Sequence, residues 1–138
     1  MPVKAKFHEA VKTGLLREGW TITADPLYVE FGGIEMYVDL AAEKVIAAEK
    51  DGRKIAVEIK SFTAPSLISE FHTALGQFIN YRTALQAKEP DRQLYLAVPE
   101  DTYWAFFTLP FTQAVIGQQR VKVLVYDAEQ EVIVQWLE

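Results

Sequence analysis

The stretch KIAVEIKSF, residues 54–62, has the alternating pattern of a β-strand with an ion pair set into it. Neighbouring side chains of a strand point to opposite faces. One face carries Ile55, Val57 and Ile59, and the other carries Ala56, Glu58 and Lys60. Removing a carboxylate and an ammonium from water is costly unless both find partners. The pair therefore predicts either a structural salt bridge or a functional site at the end of a buried strand.

Two helices flank the strands of the first half of the chain. Apolar residues one turn apart predict an amphipathic helix within residues 6–20, ended by Gly19. The longest helical pattern runs over residues 66–88, where Pro65 precedes the helix, Ser66 can cap it and Pro90 lies beyond its end. Residues 100–119 resemble one or two short helices broken at a proline.

The remaining patterns predict strands and, with the helices, a mixed α/β fold. Strands are expected within residues 21–31, 34–40, 44–50, 54–60, 92–99, 121–127 and 131–136. The run 34–40 alternates with Met36, Val38 and Leu40 on one side, which puts Asp39 near a strand end, and Asp51-Gly52 predicts a hairpin. We therefore expect a single domain over residues 1–138, with helices packed on one mixed sheet.

Composition excludes several classes of protein. The chain has a net charge of −5 and no cysteine, which argues against a general polyanion binder, disulfides and thiolate metal sites. Residues 1–60 carry a net charge of −1 and residues 61–138 one of −4, so the N-terminal half is the more favourable surface for any phosphate backbone. No apolar run approaches a membrane span or a signal-peptide core, so we expect a cytoplasmic protein without membrane attachment.

A carboxylate beside a lysine on a central strand is also suited to metal chemistry. Mg²⁺ takes hard oxygen ligands, usually one or two carboxylates with water and substrate phosphate oxygens. Asp39 and Glu58 can supply the carboxylates, and the main-chain carbonyl of Ile59 a third ligand. Lys60 can then hold or deprotonate an attacking water. These residues predict a site for Mg²⁺ or Mn²⁺.

The same residues resemble the PD-(D/E)xK nuclease signature. Asp39 is followed about twenty residues later by Glu58-x-Lys60 on an apolar strand, and then by a long helix; Val38 replaces the proline of the literal motif. Gln77 and Tyr81 match the QxxxY motif of RecB-like exonucleases, and Glu9 stands where many members carry a further acid. The resemblance implies a restriction endonuclease-like αβββαβ core and Mg²⁺-dependent DNA cleavage. Gln77 would then be catalytic, and Glu9 and Tyr81 would support the site.

Segments along nearly the whole chain resemble the XisH family, the cyanobacterial fdxN-element excision controlling factors. They include FHEAVK, KIAVEIKSF, SLISEFHTALGQFINYR, LYLAVP and EVIVQW. The resemblance implies a role in DNA excision and recombination, with DNA, an XisI-like protein and a site-specific recombinase as partners. A local basic patch of Lys50, Arg53 and Lys54 is the candidate DNA contact. The terminal strand could leave an edge for another chain, such as a second copy in a homodimer.

Each of these functional interpretations has a simpler structural alternative. Glu58 and Lys60 could form an incidental salt bridge in a purely structural protein, and Gln77 and Tyr81 could belong to a solvated helix face. The fold could also persist as a catalytically silent regulatory subunit that recruits XisI or the recombinase. The aromatic segment 102–111 is expected in the core, with a partner surface as the alternative. His8 and His72 lack the spacing of a zinc site and are expected at the surface or half-buried.

Overall fold

The computed structural model describes residues 3–44 and 52–138, and its centre is a six-stranded mixed sheet covered by helices on both faces. In chain order the elements are α1 (Val3–Arg17), β1 (Thr21–Ala24), β2 (Leu27–Phe31), β3 (Ile34–Val38), β4 (Leu40–Lys44), β5 (Arg53–Ile59), α2 (Leu67–Lys88), β6 (Arg92–Pro99), α3 (Glu100–Thr102), a π-helical turn (Tyr103–Phe107), α4 (Pro110–Gln119), β7 (Val123–Asp127) and β8 (Val132–Leu137). The mixed α/β class predicted from the sequence is confirmed.

The main sheet contains both parallel and antiparallel pairs of strands. The main sheet has the order β1-β4-β5-β6-β7-β8, and β2 and β3 form a separate hairpin. Strands β5, β6 and β7 run parallel to one another, and α2 provides the crossover from β5 to β6. The other neighbouring pairs are antiparallel. From α1 to β6, the helices and main-sheet strands follow the order αβββαβ, which is compatible with a restriction endonuclease-like core.

Each face of the main sheet has its own apolar core, because side chains alternate along the strands. On one face α1 covers Leu40, Ile55, Val57, Tyr95, Leu124 and Tyr126. On the other face α2 covers Ala56, Leu94, Leu96, Val98, Val123 and Val125. A sheet covered on both faces explains the nearly continuous apolar runs of β5 and β6.

Helix α2 begins and ends close to the predicted residues. Ser66 caps it, and its side-chain oxygen accepts the backbone N–H of Ser69 at 3.3 Å. Phe71, Phe78 and Leu85 are buried against the sheet, as the helical spacing indicates. Because α2 is held at its start and along its length, its polar residues have fixed positions above the end of β5.

The predicted single strand 34–40 is wrong in one respect, because it is broken at Asp39. Val38 ends β3 in the hairpin and joins the core under α2, whereas Leu40 begins β4 and joins the core under α1. The chain passes from one sheet to the other at Asp39, so the two residues do not share a face as their alternation predicted. The sequence predicted a hairpin between strand 44–50 and β5, but residues 45–51 lie outside the described residues. Within the described residues β5 pairs with β4, and Lys44 lies opposite Arg53.

The aromatic segment after β6 is divided between core and surface. Phe106 and Phe107 are buried, whereas Trp104, Leu109 and Phe111 are exposed. Pro110 begins α4 at a position where its missing N–H has no cost. The expectation of core burial is therefore correct for only part of this segment. Among the helices described, none is both long and apolar enough to cross a membrane.

Candidate functional site

A polar cavity of about 350 Å³ lies at the carboxyl end of β5, between α1 and α2. Its polar lining consists of His8, Asp39, Glu58, Lys60, Ser61, Glu70 and Thr73. Clefts at the carboxyl ends of parallel strands are common binding sites in α/β proteins, because the chain leaves the sheet there. This cavity contains Asp39, Glu58 and Lys60, which the sequence singled out.

Asp39 and Glu58 are held together by the backbone of their two strands. Residues Leu40 and Val57 are paired across β4 and β5, which makes Asp39 the neighbour of Glu58. The amide of Ile59 donates to Asp39 Oδ2 at 2.8 Å, and the amide of Asp39 lies 3.4 Å from Glu58 Oε1. The predicted convergence of these two carboxylates is therefore present.

Glu58 is a buried carboxylate whose ion-pair partner among the described residues is Lys60. The residue is only 5% exposed, and Lys60 Nζ lies 3.5 Å from its Oε2. Burial, and next the negative charge of Asp39, raise the pKa of Glu58 to about 7, although Lys60 acts in the opposite direction. One lysine does not offset the cost of placing two carboxylates here, so a cation or a proton is favoured beside Glu58.

Lys60 is fixed through its main chain. Its amide donates to the carbonyl of Ala97 at 2.9 Å, and its carbonyl accepts the hydroxyl of Tyr126 at 3.0 Å. The side chain is one quarter exposed, at 24%, and faces the cavity. The ammonium can therefore reach both Glu58 and a ligand in the cavity while the backbone remains in place.

One face of α2 contributes further polar groups. Glu70 and Thr73 line the cavity, and Gln77 and Tyr81 follow at successive turns of the helix. Glu70 Oε2 and Gln77 Oε1 are buried without a hydrogen-bond partner among the described residues. Burial, and then the charges of Glu58 and Asp39, raise the pKa of Tyr81. Gln77 and Tyr81 thus lie on the side of α2 that faces the carboxylates, and they are half-buried rather than fully solvated.

Helix α1 contributes His8 to the cavity and not the predicted Glu9. Glu9 is exposed, whereas His8 Nε2 lies 2.8 Å from Asp25 Oδ1. Lys12 Nζ lies 3.0 Å from the other oxygen of Asp25, so both residues tie α1 to the turn after β1. His8 and Glu70 were missed because neither belongs to a spaced motif. The helical periodicity put His8 next to the half-buried Phe7, and Glu70 one turn before the buried Ala74. These are the only signals that could have identified them.

The two described residues of the predicted basic patch, Arg53 and Lys54, lie at the other end of β5. Arg53 begins this strand, and its guanidinium donates to Tyr95 Oη at 3.0 Å and to Glu138 Oε1 at 2.9 Å. Lys54 is exposed next to it, and Lys50 lies outside the described residues. Arg53 is thus engaged in internal contacts, and neither Arg53 nor Lys54 lines the cavity.

The carboxylates fit a hard cation that takes most of its ligands from solvent or substrate. Within residues 3–44 and 52–138, no three side chains of His, Cys, Asp or Glu are grouped so that they could hold a metal by themselves. Mg²⁺ commonly uses one or two carboxylates and completes its shell with water and phosphate oxygens. Asp39, Glu58 and the carbonyl of Ile59 remain the predicted ligands, and the unpartnered oxygen of Glu70 can accept a hydrogen bond from a water in the cavity.

Comparisons with known proteins agree with one another. The profile of the XisH protein family matches residues 1–134. The chain is 53% identical to an XisH family protein from Nostoc punctiforme PCC 73102, with a TM-score of 0.88 over 96% of this chain and 99% of that one. It is 56% identical to an fdxN element excision controlling factor protein from Anabaena variabilis, with a TM-score of 0.87 over 97% and 99%. No curated protein matches the chain.

Proposed function

The chain belongs to the XisH family, and from this premise we propose that it is a controlling factor in DNA-element excision that acts as a Mg²⁺-dependent DNA phosphodiesterase. The observation that carries the proposal is the convergence of Asp39 and Glu58 beside Lys60 in one open cavity. Two acids and a lysine at the end of a central strand are suited to phosphodiester hydrolysis. In this reaction water adds to phosphorus and one P–O bond breaks.

Each residue has a role that follows from its position. Asp39 and Glu58 would hold Mg²⁺ or Mn²⁺, which would activate water and stabilise the charge on phosphate oxygens. Lys60, with its ammonium 3.5 Å from Glu58, would orient the water and offset negative charge in the transition state. Gln77 and Tyr81 would order the cavity from α2. Glu9 stands outside the cavity and would support α1 without touching the substrate.

The test is cleavage of supercoiled and linear DNA in the presence of Mg²⁺ or Mn²⁺. We expect nicking by the purified chain, with XisI and the recombinase supplied in a parallel reaction. Glu58→Gln and Lys60→Met should each lower the rate by about a hundredfold or more, as is usual for residues that stabilise charge in a transition state. Glu30→Gln, which removes an exposed acid from the hairpin, is the matched control. Equal rates in the wild type and both site variants would contradict the proposal.

The exposed aromatic residues favour a second candidate function. Trp104 is 63% exposed and Phe111 55%, which is unusual for large apolar side chains so close along a chain. They favour a nuclease-like regulatory subunit that recruits XisI or the recombinase. A calorimetric titration with Mn²⁺ separates the two functions. Binding that Asp39→Asn abolishes would favour the nuclease, whereas absence of binding at millimolar Mn²⁺ would favour the regulator.

A further inference from the structure

The hairpin of β2 and β3 is separate from the main sheet and projects into solvent at its turn. The two strands form a sheet of their own, and Gly32 and Gly33 make the turn with φ angles of 60° and 90°. A Cβ atom added at either glycine would have no described atom within 4 Å beyond the adjoining residues. The tip of the hairpin is therefore accessible to another molecule.

The hairpin carries a large share of the exposed apolar surface. Among the described residues ten large apolar side chains are exposed, and four of these belong to the hairpin: Tyr28, Phe31, Ile34 and Tyr37. Their exposed fractions range from 40% at Phe31 to 59% at Ile34. Concentrated apolar surface of this kind marks interaction sites on proteins, and tyrosine is enriched at the centres of interfaces. The hairpin is thus a candidate docking surface.

The outer face of the hairpin combines aromatic rings with carboxylates. The strand pairing places Tyr28 opposite Tyr37 and Glu30 opposite Glu35. All four side chains are exposed, and the two tyrosine ring centres lie 5.5 Å apart. Because side chains alternate along a strand, these residues face away from the core that the hairpin shares with α2. That core receives the other face, through Leu27, Val29, Met36 and Val38.

The charge on this outer face is negative and has no counterpart nearby. Residues 27–38 contain two glutamates and no lysine, arginine or histidine. In the described part of the chain, neither Glu30 nor Glu35 has a cation within 4 Å. The carboxylates attract cations directly, and the faces of the tyrosine rings attract them through cation–π interactions. The same charges repel a phosphate backbone.

The spacing of the two pairs selects the form of the ligand. The tyrosine pair and the glutamate pair are two residues apart along each strand, which is about 6.8 Å. In an extended peptide, residues at alternate positions repeat at the same interval. One basic side chain over the tyrosine rings therefore places the next one between the two carboxylates. Arginine suits both positions, because its guanidinium stacks on aromatic rings and forms paired hydrogen bonds with carboxylates.

We infer that the outer face of the hairpin docks an extended segment of another protein that carries basic residues at alternate positions. A second copy of this chain is a poorer occupant, because a two-fold axis through this face would bring four glutamates together. None of the four outer residues lines the cavity of Asp39 and Glu58. The inference is therefore independent of the proposed cleavage reaction.

The first experiment is a calorimetric titration of the full chain with a capped octapeptide of alternating arginine and threonine in 0.15 M salt. We expect saturable binding that Glu35→Gln and Tyr37→Thr each weaken at least fivefold. Threonine is well suited to strands, so Tyr37→Thr should fold. Asp91→Asn, which removes one exposed charge outside the hairpin, should leave affinity unchanged. A peptide of the order Arg-Arg-Thr-Thr-Arg-Arg-Thr-Thr has the same charge without alternate arginines, and should bind at least fivefold more weakly.

Three results with these peptides overturn the inference. They are absence of saturable binding, equal affinity for both peptides, and an equal loss of affinity in Asp91→Asn and Glu35→Gln. Two further measurements test the other occupants. If sedimentation equilibrium shows a dimer that Tyr37→Thr abolishes, the face is a contact between copies of the chain. If Tyr37→Thr weakens binding of a duplex oligonucleotide and not of the alternating peptide, the face belongs to nucleic acid, and either result also overturns the inference.

Discussion

Asp39 and Glu58 are separated by 19 positions in the sequence, yet the carboxylate of each lies beside a backbone amide in the other's segment of the chain. The carboxylate of Asp39 accepts the amide that follows Glu58, and the carboxylate of Glu58 faces the amide of Asp39. The pairing of β4 with β5 therefore holds the two acids side by side, even though their charges repel. The fold maintains an arrangement that is unfavourable in isolation, which suits a site that receives a cation.

The first prediction concerns the pH dependence of stability. The pKa of Glu58 is about 7 in the folded state against 4.5 ordinarily, so the folded state binds the proton more tightly. Its contribution to stability is full below pH 4.5 and is lost as the pH rises from 4.5 to 7. The loss corresponds to about 3 kcal/mol at most. Glu58→Gln should therefore be more stable than the wild type at pH 8 in EDTA and nearly equal at pH 4.5.

Urea denaturation across this pH range measures the effect. Glu30→Gln, at an exposed position, should follow the wild-type curve at every pH. If the difference in unfolding free energy between Glu58→Gln and the wild type stayed constant from pH 4.5 to 8, the ionised Glu58 carboxylate would not be destabilising the folded protein.

The second prediction concerns Gln77, whose buried Oε1 has no partner among the described residues. A buried polar atom without a hydrogen bond costs about 1–3 kcal/mol. Gln77→Met keeps the volume and removes the polar group, so the free energy of unfolding should stay the same or rise. DNA nicking should fall at least tenfold if Gln77 orders the cleavage site. A stable variant with full activity would assign Gln77 to a merely structural role.

The third prediction concerns the contacts of Asp25 with His8 and Lys12. Burial opposes ionisation of Asp25, but the hydrogen bond from Lys12 and the interaction with His8 outweigh it, so its pKa lies below 3.8. The contribution to stability is present above pH 3.8 and is lost as the pH falls through the lower folded-state pKa. Asp25→Asn should cost about 0.5–1 kcal/mol at pH 7, because the contacts are near the surface.

Thermal denaturation at pH 7 and pH 2.5 checks this link between α1 and the turn after β1. The difference between Asp25→Asn and the wild type should shrink at the lower pH. Asp91→Asn, an exposed change of the same kind, provides the comparison. A difference of equal size at both pH values would mean that the ionised carboxylate is not the source of the stability.

The fourth prediction separates the buried and exposed parts of the aromatic segment. Phe107 is fully buried and packs on Phe62 and Phe71 at ring distances of 5.4 and 5.7 Å. Phe107→Ala should cost about 3–5 kcal/mol. Trp104→Ala should cost less than about 0.5 kcal/mol, since its side chain is largely in solvent. Urea denaturation of both variants tests this, and a large cost at Trp104 would indicate that the residue is covered.

Much of the fold could be predicted because its strongest patterns are local. Strand β6 is a continuous apolar run, and α2 has an N-cap, a periodic apolar face and a proline beyond its end, so the bounds of both elements were predicted closely. The break at Asp39 could not be predicted, because alternation continues through it. The change of sheet is visible only in the tertiary structure, where Val38 and Leu40 are buried in different cores.

The site was predictable where residues stand in a spaced motif and not where the fold alone brings them together. Asp39, Glu58 and Lys60 met as expected, but His8 and Glu70 reach the cavity through helix packing.

The junction at Asp39 also determines which genetic changes the protein can tolerate. Val38 is buried under α2 and Leu40 under α1, so the position of the carboxylate between them is fixed relative to the sheet. A substitution at position 39 would remove one functional group and leave both anchors intact. A single inserted residue at the same place would turn every following side chain of β4 to the wrong face. Lineages that lose the acid can therefore keep the fold, whereas lineages that change the length here cannot.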